Sequence, residues 1–359
     1  MPVPLFDTAT PLEPLRAEIR TAIDRVIEGG RFILGPEVAA FEREFADHIG
    51  AGHAIGVGNG TDAITIALRA MEVGPGDEVV VPSFTFYATA EAIPHTGATP
   101  VFCDVDPDTM CVSAETVAAA LTPKTKAVLA VHLFGNLAPI AEIEALGVPV
   151  LEDAAQAAGS TTADGRRAGS LGTAATFSFY PSKNLAAFGD GGAITTDDAE
   201  IAQRVRLLRH HGSVDKEHFE LLGYNSRLDA IQAAILRVQL PHLDAWAAGR
   251  RAAAARYTAA GLGGLVTLPA LAGGCHPAWH LYVVRHERAD ELLAALGARG
   301  IEARSYYRVP LHRQASLRAD VALPHTDEAA RTNLAIPISP VLPDEAVEQV
   351  VAALADALA

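Results

Sequence analysis

The chain has 359 residues, half of them hydrophobic and a fifth charged, which suits a large buried core and excludes a disordered polymer. Its formal net charge is −15 with no block of lysines or arginines, so neither a nucleic-acid partner nor an anionic membrane is expected. Cys103, Cys111 and Cys275 are odd in number and lack C-x-x-C spacing, which argues against a disulfide scaffold or a structural zinc and for a reducing cytoplasm. The opening MPVPLFDTATPLEPL lacks the charged start and apolar core of a signal peptide, and no run of roughly 18 apolar residues is present to span a bilayer.

In chain order, AIGVG reads as a strand, and TDAITIALRAM as a helix with Ile64, Leu68 and Met71 on one face. DEVVVPSF is a second strand, ATAEAIPHTG a short helix and TPVFCDVD a third strand. AETVAAALTP (helix), TKAVLAVHLFG (strand), LAPIAEIEALG (helix) and VPVLEDAAQ (strand) continue the alternation, and TAATFSFYP with GGAITT completes it. Strands separated by helices of this length predict a mostly parallel sheet covered on both faces, with ligands bound beyond the carboxyl ends of its strands. RLDAIQAAILRVQL is helical, is broken at Pro241, and resumes through LDAWAAGRRAAAARYTAAG. After the glycine-rich GLGG and LAGG, WHLYVVR (strand), ADELLAALGARG (helix), IEARSYY (strand) and PDEAVEQVVAALADAL (helix) predict a smaller α+β domain. The expected architecture is α/β, with a large domain over residues 1–245 and a small C-terminal domain over 246–359.

Three strand ends carry residue types suited to chemistry. In GVGNGTDAITIAL, Gly58, Gly60 and Thr61 open a helix, where bare N–H groups and the helix dipole favour an anion. A plain glycine turn with Thr61 as N-cap fits the same residues. A dinucleotide fold would want an acidic residue after the next strand, but VVVPSF ends in Pro82, Ser83 and Phe84. Asp153 ends the apolar strand VPVLED, where a carboxylate is costly unless paired. It either caps a following helix, AAQAAG, or holds a cationic ring nitrogen with Gln156 nearby. Lys183 sits alone in FSFYPSKNLAAFGDGGAI, between a strand carrying Phe177 and Phe179 and a turn carrying Gly189, Gly191 and Gly192. Most lysines are solvated; a desolvated one becomes a nucleophile able to form a Schiff base. A phosphate cradle, a carboxylate for a pyridinium nitrogen and a nucleophilic lysine together match pyridoxal 5′-phosphate (PLP). The adjacent His210 and His211 do not face one ligand, so no metal is expected there.

EGGRFILGPEVAAFEREFA, GNGTDAITIAL, DEVVVPSFTFYATAEAI, PVFCDVD, LEDAAQAAGS, SFYPSKNLAAFGDGGAI, GYNSRLDAIQAAIL and PLHRQ run nearly end to end. On them the chain resembles the DegT/DnrJ/EryC1/StrS family of sugar aminotransferases. The resemblance implies a fold type I, aspartate-aminotransferase-like chain that forms a homodimer with active sites at the subunit interface. It implies that Lys183 carries the cofactor and then shuttles the proton, that Asp153 keeps the pyridine nitrogen protonated, and that Gln156 contacts the ring hydroxyl side. It further implies that Phe86 stacks on the ring and that Gly60, Thr61 and Ser178 bind the phosphate with Asn225 of the partner subunit. Without it, Phe86 reads equally as core and Asn225 as a turn residue. Relatives with histidine in the lysine position act as dehydratases, whereas Lys183 implies transamination. Tyr180 in YPSKNL and the GDGGA turn resemble enzymes that aminate C3 of keto nucleotide sugars. A TDP-3-keto-6-deoxyhexose acceptor and glutamate as donor are therefore expected; C4 amination, a cyclitol acceptor and a non-catalytic PLP-binding regulator are the alternatives. In RSYYRVPLH, Tyr306 stands where the family usually has histidine, and Tyr307 with Tyr180 is a candidate sugar or diphosphate contact.

Overall fold

The computed structural model describes residues 2–359. Seven strands form the large sheet: β1 His53–Val57, β2 Glu78–Pro82, β3 Thr99–Cys103, β4 Thr125–Val131, β5 Val150–Asp153, β6 Ala174–Ser178 and β7 Gly192–Thr196. Their spatial order is β1-β7-β6-β5-β4-β2-β3. β7 is antiparallel to both of its neighbours, and the pairs from β6 through β3 are parallel.

Both faces of this sheet are dry, which is why its strands read as unbroken apolar runs. Successive residues of β4 show the alternation: Ala127 and Leu129 join the core under the helices Gly60–Ala70 and Ala199–Leu208, while Val128 and Ala130 join the opposite one. On that opposite face the helices Pro36–Ile49 and Ala230–Gln239 close over β6. There Phe45 meets the edges of Phe177 and Phe179, at centroid separations of 5.0 and 5.5 Å.

A second, antiparallel sheet of β8 Tyr282–Arg285 and β9 Asn333–Ile336 has its own core of Tyr257, Leu292, Leu296, Val350 and Leu354. Pro241 marks a 3-10 turn, Leu240–His242, and the helix Leu243–Ala259 then runs to this second unit. We propose that the division between the two units falls within that helix.

IEARSYY is not a strand: it makes isolated bridges from Ile301 to Val3 and from Arg304 to Ala335. Asn333 takes the Tyr306 N–H on its Oδ1 at 2.8 Å, and Tyr307 adopts φ 56°, which no strand tolerates. The partner of β8 is instead NLAI, directly after the helix Pro324–Thr332 and too short to read as a strand. Among the described residues no helix is long and apolar enough to cross a membrane.

Candidate active site

The parallel strands deliver their carboxyl ends to one edge of the sheet. Ser178, Gly192 and Val57 are in register across β6, β7 and β1, so the turn after β1 lies beside the end of β6. A Cβ on Gly60 would come within 2.8 Å of the Ser178 Cβ; only glycine permits this approach. The N-cap of the helix Gly60–Ala70 is Asn59, whose Oδ1 accepts the Asp62 N–H at 2.8 Å, not Thr61. The Thr61 hydroxyl is thus not consumed in capping, and the N–H groups of Gly60 and Thr61 face outward at the positive end of the helix. With the Ser178 hydroxyl next to them, these groups suit a phosphate.

Asp153 is the last residue of β5 and is only 5% exposed. Its Oδ2 accepts the Thr89 hydroxyl at 2.8 Å and its Oδ1 accepts the Ala155 N–H at 3.1 Å. AAQAAG forms turns, so Asp153 caps no helix there. Because Thr89 donates to Asp153, the 3.1 Å contact between the Thr85 and Thr89 hydroxyls has Thr85 as donor. Thr85 and Thr89 were missed in the sequence; their spacing of four on either side of a short helix start was the available signal.

Glu152 was missed as well. It points to the opposite face of the sheet and is fully buried, accepting the N–H groups of Gly169, Leu171 and Gly172 at 2.8, 2.7 and 2.8 Å. A fourth donor is His132 Nε2 at 2.8 Å; His132 Nδ1 accepts the Ala138 N–H, which places the ring proton on Nε2. This cluster ties the end of β4 to the end of β5 and so holds Asp153 in place.

Lys183 lies in the loop after β6, where its N–H donates to the Tyr180 carbonyl at 2.8 Å. Burial pulls its amine down to about 8, and the nearby Asp153 carboxylate opposes part of that shift. The residue is half-buried and its amine feels the Asp153 carboxylate, so it is not a solvated surface charge.

Gln156 is held at both ends: Oε1 accepts the Phe134 N–H at 2.7 Å and Nε2 donates to the Tyr307 hydroxyl at 3.0 Å. Tyr307 stacks on Phe134 with centroids 6.0 Å apart, and burial pushes its hydroxyl pKa up. Tyr307 thus reaches the large unit through Gln156, while Tyr306 packs beside Phe134 under the Arg304 guanidinium. Phe86 is 58% exposed with its ring 6.4 Å from that of Tyr307, so it is a free aromatic face rather than core; Phe84 is the core residue. Tyr180 is likewise exposed. Asn225 is not gathered into this cluster: it accepts from Arg227 and its backbone bridges to His210. No group of three or more metal-ligating side chains occurs among the described residues, His210 and His211 included.

PLP fits these residues. The close approach at Gly60 leaves a cradle of N–H and hydroxyl donors, Asp153 stands ready for a cationic ring nitrogen, and Lys183 supplies an amine whose pKa burial lowers. The family model described as the DegT/DnrJ/EryC1/StrS aminotransferase family matches residues 14–355. Over 367 residues the chain is 46% identical to the "Pleiotropic regulatory protein" of Geobacillus stearothermophilus, covering 99% of this chain and 98% of that one. It is also 46% identical over 348 residues to the dTDP-3-amino-3,4,6-trideoxy-alpha-D-glucose transaminase of Streptomyces venezuelae, covering 94% and 91%. The crystal structure of S. venezuelae DesV in complex with a ketimine intermediate matches with a TM-score of 0.95 at 45% identity, covering 99% of this chain and 98% of that one.

Fold and site define a PLP-dependent aminotransferase of fold type I. The chain belongs to the DegT/DnrJ/EryC1/StrS aminotransferase family, and it is a sugar aminotransferase.

Proposed function

We propose that the chain transfers an amino group from glutamate to C3 of a TDP-linked 3-keto-6-deoxyhexose, with Lys183 as the nucleophile and proton carrier. The observation that carries the assignment of Lys183 is its half-buried place in the loop directly after β6, held by the bond from its N–H to the Tyr180 carbonyl, with burial lowering the pKa of its amine. Bound PLP supplies an electron sink that makes a carbon-bound proton acidic. Asp153, buttressed by Thr89, holds the positive charge on the ring nitrogen that this sink requires. Gly60, Thr61 and Ser178 would hold the phosphate, Phe86 would stack on the ring and Gln156 would contact its hydroxyl side. The Lys183 amine takes the proton at the donor carbon and returns it in the second half of the cycle, a role its neutral form suits near pH 8. One amine serves both halves, so a single lysine suffices.

The C3 and TDP readings rest on Tyr180, on the GDGGA turn and on similarity to the S. venezuelae C3 transaminase. Tyr180, Tyr306 and Tyr307 are the proposed contacts to sugar and diphosphate. The partnership is proposed to be a homodimer in which Asn225 of one copy completes the phosphate site of the other. Supporting it, Phe219 and Leu222 are 61% and 87% exposed just before Asn225, and Phe32 and Ile33, whose segment bridges to Asp229, are 44% and 54% exposed. The similarity to a protein named as regulatory is compatible with turnover, because Lys183 and Asp153 are both present.

The test is an amination screen of 3-keto and 4-keto nucleotide sugars with glutamate, read by product regiochemistry. A 3-amino TDP-sugar is expected; exclusive 4-amination would overturn the C3 reading, and no amination of any sugar would overturn the acceptor class.

A further inference from the structure

β1, whose end leads into the turn before Gly60 and Thr61, is an edge strand, so one side of its backbone finds no partner in the sheet. Residues distant in sequence satisfy that side instead. Glu42 Oε1 accepts the Gly56 N–H at 2.8 Å, and Arg209 Nη1 donates to the Gly56 carbonyl at 2.7 Å. Glu42 and Arg209 also pair with each other, and Arg209 is 8% exposed. Two residues further on, the Gly58 N–H donates to Ser226 Oγ at 2.9 Å. Ser226 is 1% exposed, and its own N–H donates to the Arg209 carbonyl at 3.1 Å. The approach is close throughout: a Cβ on Gly56 would lie 2.8 Å from the Leu228 Cβ, and one on Gly58 3.1 Å from Ser226 Oγ.

Arg209 and Ser226 are also the two ends of an arm. His210 bridges to Asn225, the His211 N–H donates to the Tyr224 carbonyl at 2.9 Å, and the Tyr224 N–H donates to the Leu208 carbonyl at 2.6 Å, which closes the neck. Beyond the neck, Val214, Phe219 and Leu222 are exposed. The root of the arm is thus fastened to the strand and turn that deliver Gly60 and Thr61. A buried hydroxyl costs more than a methyl unless its bond is used, and the bond that Ser226 Oγ makes is the one to Gly58.

We propose that Ser226 is a positioning residue for the cofactor phosphate: by accepting the Gly58 N–H it fixes the turn from which Gly60 and Thr61 present their donors. The inference rests on the reading of Gly60, Thr61 and Ser178 as the phosphate cradle. Without the Ser226 hydroxyl, the Gly58 N–H turns to another acceptor, and the cradle must be drawn back whenever a phosphate binds. Asn225, proposed for the partner's phosphate, immediately precedes Ser226. One arm root then supports two phosphate sites, the partner's through Asn225 and its own through Ser226.

The experiment titrates PLP and pyridoxal, which has the same ring and aldehyde but no phosphate, into the unloaded full chain as wild type and as Ser226→Ala, followed by visible absorbance. The variant should bind PLP about tenfold more weakly, while pyridoxal binds both proteins alike. A residue that merely stabilises the fold would weaken both ligands together. Equal PLP affinity in the two proteins, or an equal loss for PLP and pyridoxal, overturns the inference. A wild type that binds PLP no better than pyridoxal would defeat the cradle reading itself, and the role of Ser226 with it. Mixed dimers with one Lys183→Ala chain, which keep a single reactive site, then locate the effect. The loss of PLP affinity should appear when Ser226→Ala is on the chain that keeps Lys183; a loss only when it is on the other chain overturns the inference. Should the chain form no dimer, the comparison of PLP with pyridoxal decides alone.

Discussion

Lys183 and Asp153 divide the work at the site by their surroundings. Burial makes the charged form of Lys183 costly, so its amine titrates at about 8 instead of its ordinary 10.5. In the unloaded protein, capture of PLP should therefore accelerate with rising pH, with a midpoint near 8, as followed by the growth of visible absorbance. The linked stability has a definite sign. Between pH 8 and 10.5 the unfolded chain binds more protons at this lysine than the folded one, so unloaded protein gains stability as pH rises through that window. Denaturant titrations across it check the direction. For Asp153→Asn, turnover should fall on the order of 100-fold or more while PLP still binds, because the carboxylate acts on charge developed in the reaction. Thr89→Val should produce a smaller loss, roughly tenfold, by removing one hydrogen bond to that carboxylate.

At the scale of elements, the site is a property of strand ends, and strand ends were largely legible. The apolar runs placed all seven strands of the large sheet correctly because nearly all of them are buried on both faces. Asp153, Ser178 and Gly60 followed from that placement. What lay hidden depends on contacts between distant segments. Glu152 looks like half of an acidic pair in LED, yet its fourfold hydrogen bonding draws on residues 132 and 169–172, which only the folded sheet brings together. IEARSYY was misread as a strand, and NLAI went unread, because side-chain bonds from Asn333 and the left-handed Tyr307, not hydrophobic periodicity, decide that region. Two substitutions separate the kinds of contribution. Glu152→Ala strands four buried donors and should cost about 3 kcal/mol or more of unfolding free energy. Gly60→Ala forces its Cβ against Ser178, so it should leave the helical circular-dichroism signal intact while PLP affinity falls about tenfold.

At the scale of the whole molecule, one chain assembles most of the site but not Asn225, whose bonds are to Arg227 and His210. Phe219, Leu222, Phe32 and Ile33 nearby are exposed, and the proposed second copy would cover them. If sites are shared, Lys183→Ala and Asn225→Asp proteins, each impaired alone, should recover activity when unfolded and refolded as a mixture. Recovery absent from a mixture shown to contain mixed dimers would mean that each chain works alone. The account as a whole turns on Lys183. Borohydride reduction of the PLP-loaded protein followed by peptide mapping tests it most directly. The account predicts that the reduced cofactor is found on Lys183, in the peptide containing YPSKNL, and that prior incubation with glutamate prevents the labelling. Label on another lysine, or none at all, would contradict it.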